Sequence, residues 1–358
     1  MINVSKPFLP PIGEYINHVR NIWKTNWITN HGPLVKTFEK EIKKHFDIEY
    51  MCYTSNGTIA LQIALKTLGK GEVITTPYSY AATVNSIIWE NLTPKFVDID
   101  LNTFNIDPNK ISAAINEKTV AILPTFVYGN ACDTDAIAQI AQLYNIKTIY
   151  DAAHAFGSSY KGKSLYKFGD ISITSFHATK IYHTTEGGAI FSRDLITHEK
   201  VKKMMNFGHS GPNEFELAGI NGKNTEFHAA MGLSILPYIK DLLEKRKYQY
   251  SIYYSHLQNT TLRFQKIVNI EGYNYSYFPI VFETHSMLKI TITKLNSQHI
   301  FPRRYFSPSL NLLSYLPNED FCPISENISN KILCLPLYHS LEIKEQEKII
   351  RIIKSSIK

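Results

Sequence analysis

Three short constellations hold residue types that can do chemistry together. Phe176-His-Ala-Thr-Lys180, continuing into Ile-Tyr-His-Thr-Thr-Glu186-Gly-Gly188, sets a lone lysine just past an apolar run, among small and aromatic residues. Desolvation weakens a lysine's preference for charge, which makes it an amine nucleophile and a Schiff-base former. A surface lysine at a strand end is the plainer alternative. Asp151-Ala-Ala-His154-Ala-Phe-Gly157 directly follows the apolar run Lys147 to Tyr150. The carboxyl ends of strands in a doubly wound sheet face the ligand crevice, so Asp151 either projects into a site or caps the next helix. Ser55-Asn-Gly57-Thr58 opens a strong helix former. Free N–H groups and the helix dipole at such a start attract an anion, although the same residue types make an ordinary N-cap turn. Together, an anion site, a carboxylate and a reactive amine are the minimum kit of a pyridoxal phosphate enzyme. Such an enzyme must anchor a phosphate, keep a ring nitrogen protonated and hold an aldehyde as an imine.

The elements that must position these residues are also readable. From about residue 50, short apolar β-rich runs alternate with helical periods. Glu72 to Thr76, Pro94 to Ile99, Val120 to Val127, Lys147 to Tyr150, Ile171 to Phe176 and Gly187 to Phe191 predict strands, and Asp133 to Tyr144 predicts an amphipathic helix. The alternation predicts an α/β fold with a mostly parallel central sheet covered by helices on both faces. A helical region is expected from about Leu195 to Lys240, and the mixed charges of Leu236 to Lys247 suit a bridge between domains. Beyond residue 250 the pieces are short and β-rich, as in Tyr277 to Phe282, and the isoleucines of Glu342 to Ile357 recur at helical spacing. The expected organisation is a large domain at 1–240 and a smaller C-terminal α+β domain at 241–358.

Composition narrows the class. The 358 residues exceed one compact core, and 44% apolar with 19% charged residues gives no signature of disorder. A net charge of +7 comes from lysines scattered along the chain, which argues against nucleic acid and fits either an anionic small substrate or a plain solubilising surface. Cys52, Cys132, Cys322 and Cys334 have neither CxxC spacing nor histidines at zinc-ligand intervals, so no metal and no disulfide framework is expected, and a reducing cytoplasm is. No run of 18 apolar residues predicts a membrane span, and prolines occupy the place of a signal peptide's apolar stretch.

With Gly219-Ile-Asn221-Gly-Lys-Asn-Thr-Glu226-Phe-His-Ala-Ala-Met-Gly232 added, the three constellations stand in the order and spacing of the DegT/DnrJ/StrS aminotransferases. The resemblance runs from Lys6-Pro-Phe-Leu-Pro-Pro to Cys334-Leu-Pro-Leu-Tyr338, and Trp27-Ile-Thr-Asn-His-Gly-Pro-Leu with the FHATK form looks most like the branch forming TDP-4-amino-4,6-dideoxyglucose. It implies a fold-type I transferase like aspartate aminotransferase. The implied reaction is ping-pong transfer of an amino group from L-glutamate, through pyridoxal 5'-phosphate, to a nucleotide-linked keto-6-deoxyhexose for surface polysaccharide such as O-antigen. By the same resemblance Lys180 matches the Schiff-base lysine, Asp151 the partner of the pyridine nitrogen and His154 a residue beside the ring. Tyr80 matches an aromatic that stacks on the cofactor, Gly57, Thr58 and Ser175 phosphate donors, and Asn221 an asparagine lent by the other subunit of a homodimer.

Lys223 departs from the arginine of many relatives and offers a point charge without a planar fork. A 3-keto-sugar aminotransferase and a non-catalytic regulatory relative are the alternatives. Lys180 argues against a dehydratase, which carries His there, and no GxGxxG follows an early strand as a nicotinamide enzyme would require. Tyr305, Phe306, His31 and His183 are candidates for sugar contact.

Overall fold

The computed structural model describes residues 1–316 and 320–357. Seven strands, β1 (Tyr50–Thr54), β2 (Glu72–Thr75), β3 (Thr93–Phe96), β4 (Thr119–Leu123), β5 (Lys147–Asp151), β6 (Ile171–Ser175) and β7 (Gly188–Ser192), form one sheet in the order β1-β7-β6-β5-β4-β2-β3. Only β7 runs against the rest, antiparallel to both β1 and β6. Thr54, Asp151 and Ser175 therefore end at the edge of the sheet where Gly188 begins.

Helices α1 (Ile12–Thr25), α2 (Pro33–Phe46), α3 (Gly57–Lys66), α4 (Ala81–Trp89), α5 (Pro108–Ala114), α6 (Thr134–Tyr144), α7 (Leu195–Met204) and α8 (Glu226–Ile235) flank this sheet. The central strands are largely buried because both faces are covered. Their period of two deals alternate side chains to two cores. Val73, Ala121, Leu123, Ile149, Ile173 and Ile190 pack with Leu61, Ala64 and Leu65 of α3 and Ile87 of α4. Ile74, Ile122, Tyr150, Ala189 and Phe191 instead meet Phe38 and Ile42 of α2, Ile137 of α6 and Ala229 of α8.

The expected unbroken helical region from Leu195 to Lys240 is corrected. Phe207 and Gly208 adopt left-handed backbone angles (φ 57° and 83°) that stop α7. A hairpin of β8 (His209–Gly211) and β9 (Glu214–Phe215) follows, turning at Pro212-Asn213. After α8, the long α9 (Ile239–Leu257) leads into the C-terminal part. There β10 (Arg263–Phe264), β11 (Phe278–Val281) and β12 (Ile332–Leu335) make a three-stranded antiparallel sheet, with α10 (His285–Ser297), α11 (Pro323–Lys331) and α12 (Ile343–Lys354). Tyr253, Phe278, Ile280, Leu288, Leu335, Ile349 and Ile353 form a separate core, which Ile2 joins as Ile2–Asn3 pairs with Ile300–Phe301.

Two carboxylates fix the entry to this arrangement. Gly32 has no side chain with which to cap α2, and Glu226, only 1% exposed at the start of α8, supplies the acceptor by taking the N–H groups of Leu34 and Val35, each at 2.8 Å. Glu39 of α2 accepts from the outward-facing N–H of Tyr53 at 2.8 Å on edge strand β1. Glu226→Ala strands two buried donors, so it should cost about 2–3 kcal/mol, seen as a drop of roughly 5 °C or more in thermal midpoint. Glu226→Gln keeps an acceptor oxygen and should fall between; a wild-type midpoint for the alanine variant would show that the cap does not matter.

Candidate active site

A cavity of about 640 Å³ opens where the strand ends converge, between the sheet and residues from the C-terminal part. Asn56, Gly57, Thr58, Ser79, Tyr80, Asp151, His154, Ser175 and Lys180 line it together with Tyr277, Tyr305 and Phe306. Each gets there through a local rule. Asn56 caps α3 by accepting the N–H of Ile59 at 2.8 Å, which leaves the N–H groups of Gly57 and Thr58 without an intrahelical partner at the positive end of the helix dipole. The backbone passes so close that a Cβ on Gly57 would lie 2.8 Å from that of Ser175, and a Cβ on Gly188 would lie 2.5 Å from the Asn56 carbonyl. Glycine is required at both positions, and the result is an anion cradle.

Asp151 ends the central strand β5 and is only 4% exposed. One carboxylate oxygen accepts from Thr83 Oγ1 at 2.7 Å and the other from the Ala153 N–H at 3.1 Å. Burial raises the pKa of this carboxyl, while the bonds from Thr83 and Ala153 and the charge of Lys180 act the other way. Lys180 sits in the turn between β6 and β7, its N–H bonded to the His177 carbonyl at 2.9 Å. Burial pushes its ammonium down to about 8, and the charge of Asp151 limits the fall.

His154 is held from both sides. Its carbonyl accepts from Asn274 Nδ2 at 2.7 Å and Ser276 Oγ at 2.9 Å, and its ring stacks on Phe306 with centroids 5.6 Å apart. Burial and the nearby Lys180 push the imidazole well below its usual pKa, so it is neutral, and its buried Nδ1 has no partner. At the cavity wall, His177 Nε2 lies 3.4 Å from Glu186 Oε1.

Most of the residues singled out in the sequence therefore meet in one place, and some do not. Tyr80 is 63% exposed with its ring on the cavity, and Tyr305 and Phe306 form part of the wall. Asn221 is exposed and does not line its own chain's cavity; its loop runs beside the β1 end, with Ser55 N bonded to the Gly222 carbonyl at 2.8 Å. Lys223 Nζ donates to Asn206 Oδ1 at 2.8 Å and lies 4.8 Å from the centre of the Phe207 ring. His31 lies 3.1 Å from Glu39, and His183 is buried against the Phe8 carbonyl at 2.8 Å; neither lines the cavity. Thr83, Asn274 and Ser276 were not foreseen. Thr83 had a signal: three residues after Tyr80, it shares a face of α4 with it.

The arrangement fits pyridoxal phosphate: a helix start for the phosphate, a buried carboxylate for the ring nitrogen, an amine of lowered basicity for the aldehyde and an orphaned imidazole nitrogen beside them. If Lys180 has the lowered basicity described, amine-directed labelling of the cofactor-free protein should modify it with a midpoint near pH 8. An ordinary lysine midpoint of about 10.4 would contradict the desolvation.

The sequence matches the DegT/DnrJ/EryC1/StrS aminotransferase family over residues 12–354. It is 42% identical to a dTDP-4-amino-4,6-dideoxy-D-glucose transaminase of Shigella dysenteriae, over 99% of this chain and 98% of that protein. An enzyme of the same name from Escherichia coli is 38% identical over 99% and 97%. Among solved structures, DesI in the presence of its TDP-sugar product superposes with a TM-score of 0.91 at 26% identity, covering 99% of this chain and 91% of that one. With strand order, cavity and whole-length similarity in agreement, the chain belongs to the DegT/DnrJ/EryC1/StrS aminotransferase family.

Proposed function

We propose that this aminotransferase moves the amino group of L-glutamate onto dTDP-4-keto-6-deoxy-D-glucose, giving dTDP-4-amino-4,6-dideoxy-D-glucose. The observation that carries the reading is the meeting of Lys180, Asp151 and the α3 anion cradle in one cavity, in a chain 42% identical end to end to a transaminase of that product. When bound, pyridoxal phosphate supplies the electron sink and carries the amino group between the two substrates.

The chain's own residues do the rest. Gly57, Thr58 and Ser175 bind the phosphate through N–H and hydroxyl donors, and Tyr80 packs on the ring. Asp151 keeps a proton on the ring nitrogen, which lets the ring accept charge. Lys180, with a good share of its amine neutral near pH 8, takes a proton from the donor's α-carbon and returns it as the amino group moves. In the second half-reaction Lys180 would give a proton to the sugar carbon that carried the keto oxygen, while Asp151 keeps the same role at the ring nitrogen. His154, neutral and stacked on Phe306, offers a hydrogen bond without adding charge. The proposed units are a large one at 1–240 and a small one at 241–358, with α9 running across the boundary, Ile2 packing with the small unit, and residues of both lining the cavity.

The enzyme is further proposed to work in the cytoplasm as a homodimer and to feed the synthesis of surface polysaccharide such as O-antigen. Two observations support the dimer reading. Asn221 is exposed on a loop outside its own cavity, and Trp23 and Trp27 on the same side of the chain as α8 are 68% and 47% exposed. Each site then borrows Asn221 from the other subunit.

Incubating the enzyme with glutamate and a panel of 3-keto and 4-keto TDP- and UDP-sugars, and identifying products by mass and NMR, tests the substrate. Amination at C-4 of the TDP-linked 4-keto sugar is expected; exclusive C-3 amination would overturn that assignment. For the shared site, inactive Lys180→Ala subunits re-associated with weakened Asn221→Ala subunits should yield hybrids in which one site is intact and activity returns. Verified hybrids without recovery would show that Asn221 serves its own chain.

A further inference from the structure

The bond from Thr83 to Asp151 is the last link of a chain. Thr83 Oγ1 lies 2.7 Å from Asp151 Oδ2, Ser79 Oγ lies 2.8 Å from Thr83 Oγ1, and Thr125 Oγ1 lies 3.1 Å from Ser79 Oγ. All of these side chains are buried: Thr83 is 0% exposed, Ser79 and Thr125 are 2%. An ionised carboxylate is acceptor-only, so the single hydroxyl proton of Thr83 must point at Asp151. Ser79 must then be the donor to Thr83, and Thr125 the donor to Ser79. Every proton in the row points toward Oδ2, and hydrogen bonds aligned head to tail polarise one another.

The row is assembled from separate elements. Ser79 lies just before the N-cap of α4, Thr83 is in its first turn, and Thr125 follows β4, next to β5 in the sheet. Thr125 is placed by a backbone bridge to Asp151 itself. Oδ1 is meanwhile taken by the Ala153 N–H at 3.1 Å, so each carboxylate oxygen has its own donor and the two bonds together favour one orientation of the carboxylate plane. Two groups of the cavity also act on this carboxylate's surroundings: the Lys180 ammonium, whose charge favours the ionised form, and His154, which is neutral.

We propose that Thr83, backed by Ser79 and Thr125, is a positioning residue that holds Asp151 ionised and aimed at the ring nitrogen of the cofactor. The proposal rests on the reading of Asp151 as that nitrogen's partner. Removing the hydroxyl takes away a charge-assisted bond that favours the ionised form, so the carboxyl's protonation moves to higher pH. Because the ionised form is the working one, activity is then lost from the acid side first.

The test compares Thr83→Val, Thr83→Ser and Ser79→Ala with Asp151→Asn in three readouts: pyridoxal phosphate affinity by fluorescence titration of the cofactor-free protein, the pH profile of the glutamate half-reaction, and the nitrogen chemical shift of ¹⁵N-labelled cofactor. Thr83→Val should move the acid limb up by about one pH unit, weaken affinity roughly tenfold, and lower kcat with little change in KM for glutamate. The ring nitrogen should lose its proton at lower pH than in wild type. Thr83→Ser should restore all of these, and Ser79→Ala should shift them in the same direction by a smaller amount, which keeps the test decisive if the valine variant folds poorly. An unmoved acid limb and nitrogen shift in Thr83→Val, or in Ser79→Ala if only that variant is soluble, overturns the proposal while Asp151→Asn still shows its defect. If Asp151→Asn is itself unaffected, the underlying reading of Asp151 fails instead.

Discussion

A buried carboxylate at the wall of the cavity has to remain charged, and the structure around Asp151 is built to that constraint. Burial alone penalises an isolated carboxylate by several kcal/mol, so it survives only with hydrogen bonds and a nearby positive charge. Here both oxygens are bonded, one from the start of α4 and one from the backbone just beyond β5, and Lys180 supplies the charge. β5 lies at the middle of the sheet, where neighbours on both sides keep the Asp151 side chain buried. Because β7 is antiparallel to β6, β6 ends and β7 begins at the same edge of the sheet where β5 ends, and the β6–β7 turn delivers Lys180 beside the carboxylate.

Lys180 and Asp151 set each other's state. The same burial that lowers the lysine's basicity raises the carboxyl's, and each charge partly reverses the shift of the other. A lysine with a midpoint near 8 is neutral often enough to act as a nucleophile and base, yet is readily protonated when it must give a proton back. Neighbouring residues keep the balance without adding charge. His154 is neutral, clamped through its carbonyl by Asn274 and Ser276 of the C-terminal part, and stacked on Phe306. Residues on the two sides of the cavity therefore have to be correctly docked before the site exists.

Much of this was legible in the sequence because it depends on local rules. Apolar runs of four to eight residues marked six of the seven strands of the large sheet, Tyr50–Thr54 being the one not singled out, and Asp133 and Glu342 stand at the helix starts where their positions suggested them. Lys180, Asp151 and Gly57 were visible because each sits at an element boundary, where side chains and N–H groups reach a cavity. What stayed hidden was non-local. Glu226 caps a helix 192 residues earlier in the chain. Thr125, just past β4, reaches Ser79 ahead of α4, a link that no spacing reveals. The hairpin at His209 to Phe215 was missed because its brief β pairing is outweighed, in a pattern reading, by the helical periods on either side, while the decisive left-handed angles fall on Phe207 and Gly208. His31 and His183 looked available for chemistry because a sequence does not show that each already has a partner in the fold.

The most direct measurement is to reduce the cofactor-loaded protein with borohydride, digest it and locate the modified lysine by mass spectrometry. Attachment at Lys180 alone, with loss of the visible absorbance band, is the result that a desolvated amine facing Asp151 predicts. Label on another lysine, or cofactor that binds and is released unmodified after reduction, would contradict the central claim that Lys180 and Asp151 form the catalytic pair.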